Sequence, residues 1–574
     1  MKLQSHRIAL FAVFASACLA NSHPKIAADL EGRDPGSAAR VIVQFAQAPQ
    51  TRHLDKARQH GGQVHSTLPL VNGAVVTMQA GALADLADDP EVVRISPDRE
   101  LSGTLHNAVS SVNYPPVDSY IGSINGMRGY GVGIAYLDSG IYAQHINFNM
   151  YMDPTSRIVY SESFIDSTPD DQYGHGTHVA GIATGMDNAD MQQSSPSRDF
   201  WGLAPDASII NLKVLDANGK GTDSAVIAAI NRAIQLKRTY NIRVMNLSLG
   251  RPIKESYKTD PLCQAVEKAW KAGIVVVVAA GNLGRDNSFG NSGYATITAP
   301  GNDPYVITVG ASNSNGDTDR ANDLMTTYSS KGPALIDHVV KPDIVAPGNR
   351  VVSYKAPAAQ LTAQYPSNVP ATSYYLTNGT SSASPYFLTL SGTSMAAPLV
   401  SGFAALMIQY DSSLTPDQVK ARMMKNAWRG FPASSSIYDP ATATTYKVYN
   451  DAFTTGAGML DCKAAFFDSS KPSGSAASPV AYYDSASKSV KLNLNSVGAT
   501  TVVWGTTSPY ATSLVWGTNV QGSTLVWGSA ISGTSLVWGT STMSGFSLVW
   551  GTTSPNASSL TPAGESLTVA IRGE

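Results

Sequence analysis

Cysteine is nearly absent from this chain of 574 residues: Cys18 lies in an N-terminal apolar run, leaving Cys263 and Cys462 for everything else. Two cysteines cannot build a disulfide-dense scaffold, and sequence spacing does not say whether they pair. Charge is scarce as well. Charged residues make up 14%, against roughly a quarter in ordinary soluble domains, and Lys+Arg 40 against Asp+Glu 42 leaves a net charge of −2. No basic run interleaves with aromatics, which argues against a nucleic-acid partner. Long apolar runs are missing too: residues 8–20 fall short of the ~20 needed to span a bilayer, and no later run is long enough.

What is present falls into segments. Lys2 and Arg7 precede the apolar run and small residues follow it, the grammar of a secretory signal peptide, placed at residues 1–22. Ala15-Ser16-Ala17-Cys18 faintly resembles a lipoprotein box, so the expected location is extracellular, with cell-surface attachment as a variant. Residues 40–98 read strand, helix, strand, strand, helix, strand, a small α+β unit assigned to residues 23–105 and ending in an extended, cleavable stretch. From residue 131 apolar strands (GIAYLD, ASIINLKVLD, RVMNLSLG, IVVVVAAGN, YVITVGAS, KPDIVAPG) alternate with helices. Strands apolar on both faces in such alternation predict an α/β fold with a doubly wound parallel sheet, assigned to residues 106–466. Thr415-Pro416-Asp417-Gln418 is a capping box with proline in the first turn, which fixes one helix start. Ser/Pro/Gly-rich residues 467–490 read as a linker. Beyond it a VWG repeat places Trp504, Trp516, Trp527, Trp538 and Trp550 at intervals of 12, 11, 11 and 12, read as a β-repeat tail over residues 491–574. Leu and Trp of each repeat share one strand face, which predicts packing on the α/β domain or contact with a cell-surface or polymeric partner.

Ligands of doubly wound sheets sit at the carboxyl ends of strands. Asp138 closes GIAYLD, Asn282 closes IVVVVAAGN, and His175 opens a helix of small residues in GHGTHVAGI. In GTSMAAP, Pro398 must lie near a helix start, so Ser394 stands at a helix N-terminus. Each has an ordinary structural reading: a turn-forming Asp, a surface His, a loop-capping Asn, an N-cap Ser. Together they fill the roles of one reaction. Acyl transfer to Ser394 needs a base (His175), a carboxylate that fixes the base's tautomer (Asp138), and donors at the developing oxyanion (the Asn282 amide with the Ser394 backbone N–H).

LDSGI, GHGTHVAGI, the SLG and AAGN strands and GTSMAAP, in that order, resemble the subtilisin-like serine peptidases (subtilases) across residues 106–466, and residues 40–98 are similar to that family's inhibitor-like propeptide. The resemblance implies a secreted serine endopeptidase with a triad of Asp138, His175 and Ser394, acting on polypeptides and made as a self-processing precursor whose own propeptide inhibits it. It also implies that Ser248, Leu249 and Gly250 form a strand edge joined by an extended substrate, with Ala279, Ala280 and Gly281 lining the pocket for the residue before the scissile bond. Leu101 and Leu105 are the candidates for that residue in the precursor. No cofactor is required for the chemistry and no metal ligands are assigned. Residues 186–200 lack the calcium-loop pattern of many relatives, so a structural calcium is not readable, and residues 349–391 look like an insertion before the nucleophile. A catalytically silent peptide-binding relative is the alternative. A G-x-S-x-G esterase would need glycine at position 396, where Ala396 stands.

Overall fold

The computed structural model describes residues 23–27, 30, 33–98, 100–103, 112–114, 126–186, 200–288, 291–315, 319–439, 444–484, 489–493 and 571–573. The stretch read as a signal peptide and the five VWG tryptophans lie outside the described residues.

The N-terminal unit follows the expected order: β1 (Ala38–Phe45), α1 (Thr51–Gln59), β2 (Gln63–Leu68), β3 (Gly73–Gln79), α2 (Leu83–Ala87) and β4 (Val92–Pro97). The strands form an antiparallel sheet in the order β2-β3-β1-β4. Alternation along β1 divides its side chains. Val41, Val43 and Phe45 pack with Ala57, Leu83 and Leu86 on the face covered by the unit's own helices. Ile42, with Val75, Leu68 and Val71, instead belongs to the core of the large domain. This sheet therefore completes its second face with another part of the chain.

A short strand β5 (Glu100–Gly103) leads towards the large domain. That domain carries β6 (Gly133–Asp138), β7 (Ile158–Ser163), α3 (His175–Thr184), β8 (Ser208–Lys213), β9 (Lys220–Thr222), α4 (Asp223–Leu236), β10 (Ile242–Leu247), β11 (Leu249–Gly250), α5 (Pro261–Lys271), β12 (Val275–Ala279), β13 (Ile307–Asn313), β14 (Leu324–Met325) and β15 (Ile344–Pro347). Its sheet runs β14-β13-β12-β10-β6-β8-β7, with β15 also on β13, and every pair but β13/β14 is parallel. After β6 the chain builds outward to β7 and β8, then returns to the other side of β6 with β10. The carboxyl ends of β6 and β10 thus flank the point where strand order reverses, the place where such sheets open a crevice. All residues of β6 and β12 are buried, which is why they read as unbroken apolar runs.

An antiparallel hairpin, β16 (Val351–Tyr354) with β17 (Phe387–Leu390), anchors the segment read as an insertion. Its Tyr354, Tyr375 and Phe387 are fully buried beside Phe200 and His145. The helix α6 (Thr393–Tyr410) follows at once, then α7 (Pro416–Lys425), whose start is the predicted capping box.

The linker reading of residues 467–490 differs from the structure. Ala476, Ala477, Ser478 and Ala481 are buried, the Val340 N–H donates to Pro479 O (2.8 Å), and the Ala481 N–H donates to His338 O (2.9 Å). Small side chains let this stretch lie close on the domain. Ser478 satisfies its hydroxyl in a fully buried ionic cluster, where the Asp343 carboxylate also takes Lys341 Nζ (2.7 Å) and Lys420 Nζ (3.0 Å). Val480–Asp484 and Ser489–Asn493 form a further hairpin inside the span assigned to linker and tail.

Candidate active site

Asp138 ends β6 and His175 begins α3, and the two side chains meet at Nδ1···Oδ1 2.5 Å, both essentially excluded from solvent. Gly176 makes the approach feasible, since a Cβ there would lie 2.1 Å from Gly140 O and 3.1 Å from the Asp138 Cβ. The Asp138 Oδ1 also accepts the Ser139 N–H (2.7 Å). A second carboxylate holds the start of α3: buried Asp171 accepts the N–H groups of Gly174 (2.6 Å) and Thr177 (2.8 Å) and the Ser139 hydroxyl (2.8 Å). Burial raises the Asp171 pKa while these donors oppose it.

Ser394 lies in the first turn of α6, where backbone N–H groups lack intrahelical acceptors. Its Oγ is 3.2 Å from Ser248 O, and Ser248 Oγ donates back to Ser394 O (2.7 Å). Asn246 Nδ2 donates to Ser248 Oγ (2.9 Å), and Ser401 Oγ donates to Asn246 Oδ1 (2.8 Å), so α6 is pinned to the end of β10 by a closed polar chain. Asn282 arrives from the end of β12. Its Oδ1 accepts the Thr393 N–H (2.9 Å) and hydroxyl (3.0 Å), while its Nδ2 is buried with no hydrogen-bond partner among the described residues. Sequence reading did not single out Asn246, Thr393 or Asp171. Asp171 four residues before His175 was the one local signal. The other two act across more than a hundred residues.

The residues predicted to bind substrate also converge. Leu249 and Gly250 form β11, and β5 pairs antiparallel with it, Gly103 opposite Leu249 and Ser102 opposite Gly250. The other edge of β5 pairs with β9, Leu101 opposite Gly221. Ala279 and Ala280 are buried at the end of β12, and Gly281 follows with its N–H donating to Thr393 Oγ1 (3.1 Å). The N-terminal unit adds polar contacts beside this edge. Asp98 accepts both the N–H (2.8 Å) and the hydroxyl (2.6 Å) of Ser224 in the first turn of α4, while the Arg40 Nε donates to the same carboxylate (2.7 Å). An anion at a helix N-terminus is favoured by the helix dipole.

His178 is a structural neighbour: its Nε2 faces Val351 O and Leu388 O at 3.2 and 3.1 Å, tying α3 to the β16–β17 hairpin, and burial drives its pKa down to about 3. Cys263 and Cys462 are both buried free thiols. Among the described residues, no group of three or more His, Cys, Asp or Glu side chains gathers as a metal site.

Asp138 and His175 meet at the end of β6, and Asn282 reaches the first turn of α6 that bears Ser394; these are the residue types that the serine-nucleophile hydrolases use as a class. The model of the Subtilase family matches residues 129–458, and the chain belongs to that family; it is a serine endopeptidase. It is 34% identical over 399 residues to serine protease AprX of Bacillus subtilis, covering 67% of this chain and 82% of that protein. It is 30% identical over 398 residues to subtilisin E of the same organism, covering 68% and 85%. Among solved structures, fervidolysin from Fervidobacterium pennivorans, a keratinolytic enzyme related to subtilisin, superposes with a TM-score of 0.55 at 19% identity, covering 78% of this chain and 63% of that one. At that identity the likeness concerns the fold alone.

Proposed function

We propose that this endopeptidase cleaves through Asp138, His175 and Ser394, is made as a secreted, self-processing precursor, and is held inactive by its own N-terminal unit. The observation that carries the catalytic reading is Asn282. Its Oδ1 is fixed by two donors from Thr393, while its Nδ2 is buried and unpartnered among the described residues, next to the turn that bears Ser394. An unmade buried donor costs stability, so its retention points to a partner that arrives with the substrate.

In the proposed cycle Ser394 Oγ attacks the carbonyl carbon of the scissile bond as His175 Nε2 takes the hydroxyl proton. Asp138 accepts the Nδ1 hydrogen, sets the tautomer and stabilises the imidazolium. Negative charge moves to the carbonyl oxygen, where Asn282 Nδ2 and the Ser394 N–H donate. His175 then protonates the leaving amine, the C–N bond breaks, and an acyl-Ser394 ester remains. Water then attacks the ester carbonyl carbon as it gives a proton to His175, the acyl C–Oγ bond breaks, and His175 returns the proton to Ser394 Oγ as the acid leaves. Main-chain pairing with β11 would hold the polypeptide in register.

The precursor reading rests on β5 lying between β11 and β9 and on the Asp98 contact with α4. The test of both readings is Ser394→Ala in the full chain. It should lack fluorophosphonate labelling and peptide hydrolysis, and should remain unprocessed when purified without added protease. Normal processing of that variant would overturn self-cleavage, and labelling would overturn Ser394 as nucleophile.

A further inference from the structure

The segment between β16 and α6 carries a second site, and the far end of the chain sits in it. Asn368, only 9% exposed, uses its amide nitrogen on two carbonyls: Nδ2 donates to Thr389 O in β17 (2.9 Å) and to Ile571 O (2.9 Å). The Ile571 side chain packs against the core of the large domain. Arg350 Nη1 lies 3.4 Å from Arg572 O, while the Arg572 side chain is exposed. Gly573 then fills a notch floored by two buried polar side chains, Asn349 and Ser391, which are joined by a 3.3 Å hydrogen bond from Ser391 Oγ to Asn349 Oδ1. A Cβ on Gly573 would lie 2.4 Å from Ser391 Oγ, 2.6 Å from Asn349 Oδ1 and 3.0 Å from Arg350 Cγ, and its φ of +65° independently favours glycine. Next to Ser391 the Gly392 N–H donates to Gly348 O (2.9 Å), so the notch lies on the turn that leads into α6.

We propose that Asn349, Asn368 and Ser391 form a binding site for the chain's own C-terminal segment, Ile571-Arg572-Gly573, and that this site selects an aliphatic residue and a glycine two positions later. The contacts assign a role to each position. Ile571 is held by its carbonyl and by apolar packing, Arg572 by its backbone alone, and Gly573 by the lack of room for any side chain. None of the three side chains that build the site takes part in the cycle proposed above, so the site is a separate one. The chain is also fixed where it leaves the domain, since Val490 is buried and Leu492 packs on the same core. The span between Asn493 and Ile571, which holds the five VWG tryptophans, is thereby joined to the large domain at both of its ends.

The test uses the full chain carrying Ser394→Ala, so that the enzyme does not act on itself, treated with carboxypeptidase Y and followed by intact mass. Each rate of trimming past Gly573 is divided by that of a synthetic peptide of residues 566–574 with the same end. Trimming tracks the undocked population, so the unaltered end should be lost at least about 10-fold more slowly than its peptide. Arg572→Ala should keep this protection within about twofold, because only the backbone of that residue is held. Asn368→Ala leaves the end of the chain unaltered and removes one hydrogen bond to it, which should reduce protection by about fivefold. Gly573→Val should abolish protection, and as a change at the chain's end it keeps the test decisive if Asn368→Ala does not fold. An unaltered end trimmed as fast as its peptide, or equal protection in Gly573→Val, overturns the proposal. The place of docking is read separately by a short bismaleimide on a chain with Arg350→Cys and Arg572→Cys, both exposed positions, against each single variant. A cross-link that needs both cysteines and is lost in Gly573→Val supports the site. Protection without that cross-link would put the end elsewhere on the domain and overturn it.

Discussion

Replacing Asn282 by aspartate isolates the amide's part in the reaction. The substitution keeps an oxygen where Oδ1 accepts the Thr393 N–H (2.9 Å) and hydroxyl (3.0 Å), and exchanges the unpartnered Nδ2 for a second carboxylate oxygen. The fold keeps its two hydrogen bonds, while the Nδ2 donor is lost and a carboxylate oxygen with its charge takes its place. In the ground state that donor has no partner among the described residues, so any stability cost of Asn282→Asp comes from the buried charge it introduces and not from a lost bond. In the transition state it meets a developing oxyanion in a site only 4% exposed at Asn282, where one such donor is worth about 2.7–4 kcal/mol. That range was measured on a subtilisin, a relative of this chain. It corresponds to a loss of roughly 10² to 10³ in kcat, with KM changed by less than about threefold because the charge is absent from the bound substrate. Asn282→Asp should be at the upper end or beyond, since the introduced charge opposes the oxyanion, and Asn282→Leu should show the loss of the donor together with the loss of the Oδ1 acceptor for Thr393. Steady-state kinetics on a peptide nitroanilide, normalised by fluorophosphonate titration of Ser394, reads the split directly. A pure KM effect, or a fall in kcat of less than about tenfold in both variants, would move Asn282 from transition-state to ground-state binding and refute the reasoning.

Thr393→Val should lower kcat by about 2 to 10-fold, because it removes one of the two bonds orienting Asn282, worth roughly 1 kcal/mol, and leaves the amide in place; an unchanged kcat would show that the Thr393 N–H alone suffices. Asp98→Ala removes an anion from the first turn of α4 and two hydrogen bonds to Ser224, a charge-assisted set worth about 1.5–3 kcal/mol. Activity should therefore appear sooner after processing of the full chain, and an unchanged lag would separate the contact from inhibition. Buried His178 has its pKa pushed down to about 3, so between the unfolded value of about 6.5 and about 3 the unfolded chain binds the extra proton. Stability should fall as pH falls through that window, by up to about 1.4 kcal/mol per pH unit, and urea unfolding of His178→Gln should show a shallower slope. Truncation after Ser470 should lower the melting temperature by removing Ser478 and the buried alanines around it, and truncation after Asn493, which among the described residues removes only 571–573 with their contact to Asn368, should lower it less; equal effects would contradict the packing described above.

The sequence made the four chemical groups legible because each sits where an element changes. A strand's last residue, a helix's first turn and a glycine that permits close approach all leave local marks. Asp138, His175, Asn282 and Ser394 carry such marks. Asn246 and Thr393 do not, since their roles exist only once β10, β12 and α6 are assembled. The strands buried on both faces were legible by composition, while edge strand β7, with its alternation of intermediate and exposed residues, left a weaker signal. The linker reading failed for a related reason. Serine and alanine are the usual residues of flexible segments, but here small size permits close packing, and the one polar side chain that enters, Ser478, meets Asp343 and Lys420.

The proposed inhibition also has a physical basis that goes beyond occupancy of the crevice. Strand β5 is paired along both edges, the N-terminal sheet buries Ile42, Leu68, Val71 and Val75 against the large domain, and Asp98 engages α4. All of these contacts are made by residues up to Gly103. In the proposed processing, a cut beyond β5 would free the new N-terminus of the large domain yet leave the whole interface in place, so the product of the first cleavage would remain bound as its inhibitor. The same apolar face makes the N-terminal unit a poor survivor once it does leave: a unit of this size buries too little surface to be robust, and separation exposes four more core side chains. Release therefore favours unfolding, and an unfolded segment is a substrate. On this reasoning the first cut is intramolecular and independent of enzyme concentration, whereas the appearance of activity depends on it, because an already freed molecule must degrade the segment released by another. Dilution of the precursor should leave the first rate unchanged and lengthen the lag before activity; a lag independent of dilution would mean that the unit departs without being destroyed.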